Sequence, residues 1–375
     1  VKLKPGETLF IFPFNHKEKT ASQTFERIRN RLVDLGLRTL LFLDEIDQIV
    51  WDIEGERAGA YIRDRKPIDK DIWRVSLLGE EGKKNNEENW LVFQRPVNNS
   101  NSSVEIAYLL GKDEKKNREI IIPVNKATLY SYFTTEKESG LNFLIQGHFQ
   151  TTPSRDNVLQ DDEFNILLIS ETAQLLVQSL EYLKSTGQLT VETLLTMPLS
   201  SDDFPSESFF RPLYEEFRHA MLNRNLLPTS NGEYIKAEEA KLARGSELIQ
   251  LLPTSSLKAL FGFSKPYYWL SDDITRDKTP ELRRFLMNEI HIDEIDPERF
   301  VRQITLEFLS DQSDEWLVKF YEFLIGQPAL WRPSYRYSSD AGILRAKPFI
   351  RTQSGEMIAP FDREGSAQVY LPGPE

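Results

Sequence analysis

The chain has 375 residues, of which 40% are hydrophobic and 11% aromatic, so it is too long for one ordinary domain and can bury two or three separate cores. Its formal net charge of -12 argues against a surface that holds polyanions, and nucleic acid is therefore not an expected partner. The lack of cysteine excludes disulfides, thiolate metal sites and thiol nucleophiles, which favours a cytoplasmic location.

A short strand and a helix are the first elements predicted along the chain. Glu7 to Phe14 has the pattern of a terminal strand, and Ser22 to Leu35 has apolar residues at the three- and four-residue steps of a helix. The chain has no initiator methionine and opens within this strand, so we expect it to be a segment of a longer polypeptide.

A group of strands is predicted between residues 48 and 124. Their β-branched and aromatic residues are separated by Gly, Asn, Ser and charged runs, which favours an antiparallel sheet joined by hairpins. The stretches 80–89, 98–103 and 112–118 are rich in solvating residues and are predicted to be the hairpin loops. The predicted strands are Gln48–Ile53, Ile72–Leu78, Trp90–Phe93, Val104–Leu110 and Ile120–Val124.

A long helix is predicted from Phe164 to Leu183, where leucine and isoleucine recur with helical spacing before Gly187. Phe164 to Val177 is the best candidate for a membrane span, but Asn165, Ser170 and Glu171 interrupt it, so no membrane span is expected. The predicted fold class of this part is α+β, with an antiparallel sheet packed on long helices.

The chain changes character around the Ser/Asp-rich run from Ser200 to Ser208. A helix predicted from Phe209 to Asn223 is followed by the segment 226–236, and one predicted from Glu315 to Leu324 is followed by 349–359. The two trailing segments share Thr, Gly-Glu and Ile in register, with an Asn-Gly or Ser-Gly turn signal between short strands. We therefore predict an α+β region of helix-plus-hairpin repeats.

The stretch from Ser139 to Val158, SGLNFLIQGHFQTTPSRDNV, is an extended apolar segment that ends in a polar turn and presents Arg155 immediately before the long helix. It resembles the middle domain of the ninety-kilodalton heat-shock chaperones, in which an Asn/Ser-Arg pair opens a helix and the arginine reaches the γ-phosphate of ATP held by a neighbouring domain. Together with the pattern Gly6-x-Thr8-x-Phe10-x-Phe12-Pro13 and the two hairpins, it is most similar to the sacsin-like branch of these GHKL ATPases.

This resemblance implies three parts. Residues 1–16 would be the terminal strand of an upstream Bergerat-type ATPase domain, 17–190 a chaperone-like middle or transducer domain, and 191–375 the helix-plus-hairpin repeat region. Arg155 would be the catalytic residue, and Ser154 and Arg155 would contact the nucleotide. ATP and Mg²⁺ would be bound by the upstream domain, because the Asp-x-Gly-x-Gly run of such a pocket does not occur in these 375 residues.

The implied function is that of the middle and C-terminal part of a chaperone-type ATPase, in which Arg155 senses ATP and couples it to client binding. Its partners would be the upstream ATPase domain of the same polypeptide and a protein client, and a homodimer is compatible with this family. The segment alone is expected to be inactive. An alternative is a non-catalytic scaffold or interaction module of a large bacterial defence or quality-control protein, in which Arg155 only begins a helix and points to solvent.

A third interpretation comes from residues 40–47, LLFLDEID, which look like the Walker B strand of an AAA-type ATPase, with Asp44 for Mg²⁺ and Glu45 for the attacking water. It is weaker, because no G-x-x-x-x-G-K-[ST] loop precedes the segment and antiparallel hairpins follow it. In the sacsin-like interpretation Leu40 to Ile49 is instead an apolar connector with its acids in solvent. That connector would bury Leu41, Leu43, Ile46 and Ile49.

The four histidines show no metal-ligand spacing, and no metal site is predicted. His148 and Gln150 could face a phosphate beside Arg155, although structural roles are the usual ones for such residues.

Overall fold

The structure of the protein is a computed structural model that describes residues 6–11, 13, 18, 20–33, 35–53, 57–81, 84–98, 100–114, 117–262, 265–332, 342–345, 347–362 and 364–370. The chain divides into two compact units, residues 1–175 and 176–375. The division lies within the long helix, whereas the predicted boundary at residue 190 follows that helix. Among the described helices, none combines the length and the apolar character needed to cross a lipid bilayer.

The first unit is built on a nine-stranded sheet. Its strands are β1 (Gln48–Ile53), β2 (Arg57–Asp69), β3 (Ile72–Glu81), β4 (Lys84–Pro96), β5 (Ser103–Asp113), β6 (Arg118–Ile122), β7 (Thr128–Ser131), β8 (Phe133–Glu138) and β9 (Leu144–Gly147). They lie in the order β1-β2-β3-β4-β5-β9-β7-β8, and β6 also pairs with β5. Every pairing is antiparallel except that of β7 with β9.

Helices precede and follow the strands of this sheet along the sequence. A helix α1 (Ala21–Val33) and a 3-10 helix (Leu37–Leu40) precede it, and the long helix α2 (Glu163–Ser185) follows it. The helices predicted over 22–35 and 164–183 are thereby confirmed. The α+β class is also confirmed for this part of the chain.

The core of the first unit forms where residues 40–43 cover one face of the sheet. Val75 and Leu77 of β3, and Trp90 and Val92 of β4, are all buried, and residues two apart on a strand share a face. Each such side chain contributes roughly 1.5–3 kcal/mol when it leaves water. Burial of these alternating residues therefore explains why the segment folds as a sheet.

All five predicted strands are present, and β1 has the predicted bounds. The loop predicted over 80–89 is wrong, because Glu80 pairs with Asn85 and Gly79 with Asn86, so β3 and β4 continue into it. Glu80 and residues 85–87 are exposed there, and polar residues do not prevent the backbone from pairing. The strand predicted over 7–14 is not observed at residues 7–11 and 13, since a strand requires a hydrogen-bonded neighbour. Residues 12 and 14 of this prediction lie outside the described residues.

The second unit contains short helices and very short strands. After α2, its elements are α3 (Val191–Leu194), α4 (Arg211–Asn223), β10 (Leu227–Pro228), β11 (Tyr234–Ile235), β12 (Ala240–Ala243), α5 (Ser246–Leu251), α6 (Thr254–Phe261), β13 (Tyr268–Trp269), α7 (Pro280–Asn288), β14 (Glu294–Ile295), α8 (Pro297–Gln303), α9 (Leu306–Ser310), α10 (Asp314–Ile325), β15 (Ile350–Arg351) and β16 (Met357–Ile358). Three 3-10 helices cover Ser201–Asp203, Ala237–Glu239 and Pro328–Trp331. The helices predicted over 209–223 and 315–324 correspond to α4 and α10.

Both predicted hairpins are present, as β10-β11 and β15-β16. The turn of each is closed in the same way. Thr229 N donates to Glu233 O at 2.9 Å and Gly232 N to Thr229 O at 3.1 Å, and Thr352 N donates to Glu356 O at 2.9 Å and Gly355 N to Thr352 O at 2.9 Å. Both threonine hydroxyls also donate to the same glutamate carbonyls. The shared Thr, Gly and Glu positions therefore have a common structural meaning.

Three strands of the second unit form a small parallel sheet in which β12 pairs with β13 on one side and β14 on the other. The sequence did not predict it, since strands of two to four residues are too short to show alternation. Buried aromatic residues, including Trp269, Phe300 and Phe320, pack in the core of this unit.

We predict that Gly59→Ala destabilises the first unit. Gly59 lies opposite Trp51 in the β1-β2 pair, and a Cβ atom at Gly59 would lie 2.6 Å from Cζ2 of that indole ring. Displacing a buried ring should lower the free energy of unfolding by about 1–3 kcal/mol, measurable by urea denaturation followed by circular dichroism.

Gly36→Ala is the matched control, because nothing lies within 4 Å of its Cβ position and its φ of -84° suits any residue. Equal stability of the two variants would contradict the proposed close packing of Trp51 on Gly59.

Candidate functional site around Arg155

Arg155 lies at the tip of a closed loop between β9 and α2. Thr151 and Val158 form an antiparallel bridge, Thr152 N donates to Asn157 O at 3.0 Å, and Arg155 N donates to Thr152 O at 2.9 Å. The helix start that the resemblance places at the Ser154-Arg155 pair is not observed, because α2 begins only at Glu163, close to the predicted Phe164. Polar side chains in the loop bond to nearby groups, which favours a turn over a helix start.

The backbone of Arg155 has φ of +60°, a left-handed conformation that non-glycine residues rarely adopt. The exposed Ser154 hydrogen-bonds through its side chain to Asp156, which helps to lower the pKa of that carboxyl after the larger effect of Thr152. Ser154 is thus part of the turn and does not cap a helix.

The guanidinium of Arg155 binds the hairpin formed by β7 and β8. Nη2 donates to Ser131 O at 2.5 Å and to Phe133 O at 3.3 Å, and the guanidinium carbon lies 5.9 Å from the Phe133 ring centroid. Nε is buried and has no hydrogen-bond partner among the described residues. Since no described carboxylate forms a salt bridge with it, the Arg155 charge is held by carbonyl dipoles.

The turn that Arg155 binds is itself strongly constrained. Tyr132, at its centre, has φ of +65°, and its N–H donates to Gln146 Oε1 at 2.8 Å. Its hydroxyl lies 2.6 Å from His148 Nε2, and the two rings stack with centroids 4.7 Å apart. Burial lowers the pKa of His148, with an opposing effect of Asp44, which favours the neutral imidazole at pH 7.

A set of polar residues on the sheet lies next to Gln146 and is here called the polar cluster. It consists of Gln94, Glu105, Arg63 and Arg65. Glu105 of β5 lies directly opposite Gln146 of β9, accepts a hydrogen bond from Gln94 Nε2 at 2.9 Å and lies 3.7 Å from Arg65 Nη2. The remaining member is Arg63 of β2, whose side chain is only 2% exposed. The polar cluster therefore places three ionisable groups on the sheet, two of them arginines.

Asp44 and Asp47 lie in the loop before β1 and contact this cluster. Asp44 forms salt bridges with both Arg63 and Arg65, and Asp47 Oδ1 lies 3.1 Å from Arg63 Nη2. Even so, Arg63 Nε and Nη1 and Arg65 Nε are buried without a hydrogen-bond partner among the described residues. Two arginines are thus incompletely satisfied in the interior.

Residues 41–47 are turns and not a strand, so the conformation required of a Walker B motif is not observed there. Leu41 and Leu43 are buried as expected of the connector. Ile49 is partly buried, but Ile46 is exposed, because the chain turns at residues 44–47 to bring Asp44 and Asp47 to the arginines. The expectation of a buried Ile46 was therefore wrong.

Sequence reasoning missed Tyr132, Gln146 and the polar cluster. One signal was present: Glu105 interrupts the otherwise apolar run from Val104 to Leu110, and a lone acid in a buried strand usually has a polar partner. Arg63 and Arg65 are two residues apart and share a sheet face, but the partner strand could not be known from the sequence.

We predict a pH-dependent stability that originates at Glu105. Burial raises its pKa from 4.5 to about 7, against the opposing effect of Arg65. Between these two values the folded state keeps a proton that the unfolded state has lost, so the Glu105 contribution to stability is present at acid pH and is lost as pH rises to about 7. Relative to Glu105→Gln, the native protein should lose at most about 3 kcal/mol from pH 5 to pH 8.

Urea denaturation at the two pH values measures this difference, and Glu114→Gln, at an exposed position after β5, is the control. A pH-independent difference between the native protein and Glu105→Gln would show that Glu105 is ionised in the folded state throughout this range.

Comparison with known proteins identifies no relative of this chain: no family model matches it, and neither a curated protein nor a solved structure is significantly similar to it.

Proposed function

We propose that this chain is the middle and C-terminal part of a sacsin-like, chaperone-type ATPase, in which Arg155 reaches ATP bound by an upstream domain of the same polypeptide. One observation carries the proposal. The Arg155 guanidinium is held in a turn by main-chain carbonyls, without a salt bridge to a described carboxylate, so its charge remains available to an anion.

The guanidinium has donors left for such an anion. Nη2 is engaged by the two carbonyls and Nε is buried, whereas Nη1 donates to no described residue and is not among the fully buried atoms. Nη1 is therefore the atom that we assign to a phosphate oxygen. The exposed Ser154 hydroxyl lies next to it in sequence and would be a secondary contact.

The strained turn suits this role because it orients the arginine side chain before an anion binds. Arg155 and Tyr132 both have positive φ, and each such residue costs roughly 1–3 kcal/mol that the surrounding hydrogen bonds must offset. A guanidinium that is already oriented loses less entropy when an anion binds. ATP would supply the developing phosphate charge, and Arg155 would stabilise it through Nη1.

The second unit would respond to ATP at Arg155. We infer that it is a helix-plus-hairpin repeat region that binds a client protein. The identical closure of the two hairpins by Thr229 and Thr352 supports the repeat. Docking of the upstream domain on Arg155 would then change how this region presents itself to a client. A homodimer is compatible with this scheme.

A non-catalytic scaffold is the second candidate, and one observation favours it. Nη2 of Arg155 ties its loop to the carbonyls of Ser131 and Phe133, and this alone would justify an arginine at the position. In that case the Arg155 turn is a structural joint and the protein acts only through its surfaces.

Arg155→Ala in the complete polypeptide that carries the proposed ATPase domain separates the two. Loss of the phosphate contact should lower kcat for ATP hydrolysis by about 10³-fold or more, with little change in nucleotide binding, since the pocket lies in another domain. Steady-state ATPase assays and nucleotide titration measure the two quantities.

Arg155→Lys should recover only part of the rate, because lysine keeps the charge and lacks the fork of donors. Lys70→Ala, which removes an exposed charge from the turn between β2 and β3, is the control for net charge. Turnover by a folded Arg155→Ala protein at the native rate would reject the catalytic role and leave the scaffold.

A further inference from the structure

The second unit has a cavity of about 600 Å³ at the carboxyl ends of its three parallel strands. The residues that follow β12, 244–247, form one wall, and those that follow β13, 270–278, form another. Glu294 of β14, the third strand, and Pro297 after it also line the cavity. A volume of this size lies within the usual range of roughly 300–1,000 Å³ for small-molecule sites.

The topology of these strands marks the same place. β12 comes first in the chain but lies in the middle, because β13 is added on one side of it and β14 on the other. The strand order therefore reverses between β12 and β14, and in open parallel sheets the crevice at the carboxyl side of such a reversal is where ligands bind. Arg244, which follows β12, bridges this point by salt bridges to Glu294 and Asp296.

Three arginines converge on the cavity. The buried Arg283 forms a salt bridge with Glu294 and donates to Ile274 O at 3.1 Å, and Arg244 shares the same glutamate. Burial lowers the pKa of Arg283, and the charges of Arg276 and Arg244 lower it further. Glu294 therefore contacts two guanidinium groups, of which Arg244 is also paired with Asp296, while a third lies close by.

Arg276 and Lys278 remain available to a ligand. Both line the cavity and are exposed, and the side chain of neither forms a hydrogen bond or an ion pair with another described residue. A guanidinium next to two others has more to gain from a phosphate than an isolated one, because an anion relieves the mutual repulsion.

The acidic residues of the lining limit the charge of the ligand. Glu247, Asp272, Asp273 and Asp277 line the same cavity in addition to Glu294, so a polyphosphate would be repelled where a single phosphate fits beside the cations. Carboxylates also accept hydrogen bonds from sugar hydroxyl groups. The lining thus combines donors for one phosphate with acceptors for hydroxyls.

We propose that this cavity binds a small phosphorylated ligand that carries hydroxyl groups, of the sugar-phosphate class, with its phosphate on Arg276 and Lys278 and its hydroxyls towards Asp272. This site lies within the second unit and is independent of Arg155. It goes beyond the proposed ATPase role, since it needs neither ATP nor an upstream domain.

Isothermal titration of the 375-residue chain with AMP, ribose 5-phosphate and adenosine tests the proposal. AMP and ribose 5-phosphate, which share the phosphate and the sugar hydroxyls, should each bind with a Kd below the millimolar range, and adenosine should not bind detectably. Arg276→Ala should weaken AMP binding by about 10- to 100-fold, the loss expected for a charge-assisted hydrogen bond.

Two controls keep the test specific. Lys258→Ala removes an exposed charge on α6, and Lys70→Ala removes an exposed charge from the turn between β2 and β3; neither residue lines the cavity, and both variants should bind AMP as the native chain does. The proposal fails if AMP does not bind at millimolar concentration, if adenosine binds as well as AMP, or if Arg276→Ala binds as tightly as the native chain.

Discussion

The hydrogen bond from the Arg155 guanidinium to the Ser131 carbonyl is the interaction on which the candidate site depends. It joins two turns that each contain a residue in the left-handed conformation, Arg155 and Tyr132. Neither turn is intrinsically favourable, and each persists because neighbouring groups hold it, as Gln146 holds the N–H of Tyr132. The backbone strain of the two turns and the position of the Arg155 charge therefore depend on the same set of hydrogen bonds.

The same connection extends into the sheet through residues whose burial is costly. Gln146 faces Glu105, and Glu105 lies near Arg65, so a chain of polar groups runs from the exposed turn to the loop of Asp44. Buried charges of this kind contribute little net stability, but removing one partner leaves the other uncompensated. They specify one arrangement of the strands, because any other register would separate them.

Physical signals that are local in the chain could be recognised from the sequence, and those that depend on pairing could not. β1, α2 and the two hairpins follow from alternation, helical spacing and turn residues. The polar cluster depends on which strands become neighbours, as does the parallel sheet around β12. Arg155 stands out in the sequence, but its left-handed conformation does not, because the loop from 151 to 158 closes through its own polar side chains.

The turn of each hairpin in the second unit is fixed by only a few of its residues. In each, a threonine closes the turn with its N–H, carbonyl and hydroxyl, and a glycine with positive φ occupies the position that other residues avoid. Exposed turn positions such as Ser230 and Gln353 bury no side chain and can change without altering the turn. Copies of such a unit can diverge until only the threonine and glycine remain recognisable, while the backbone they build stays the same.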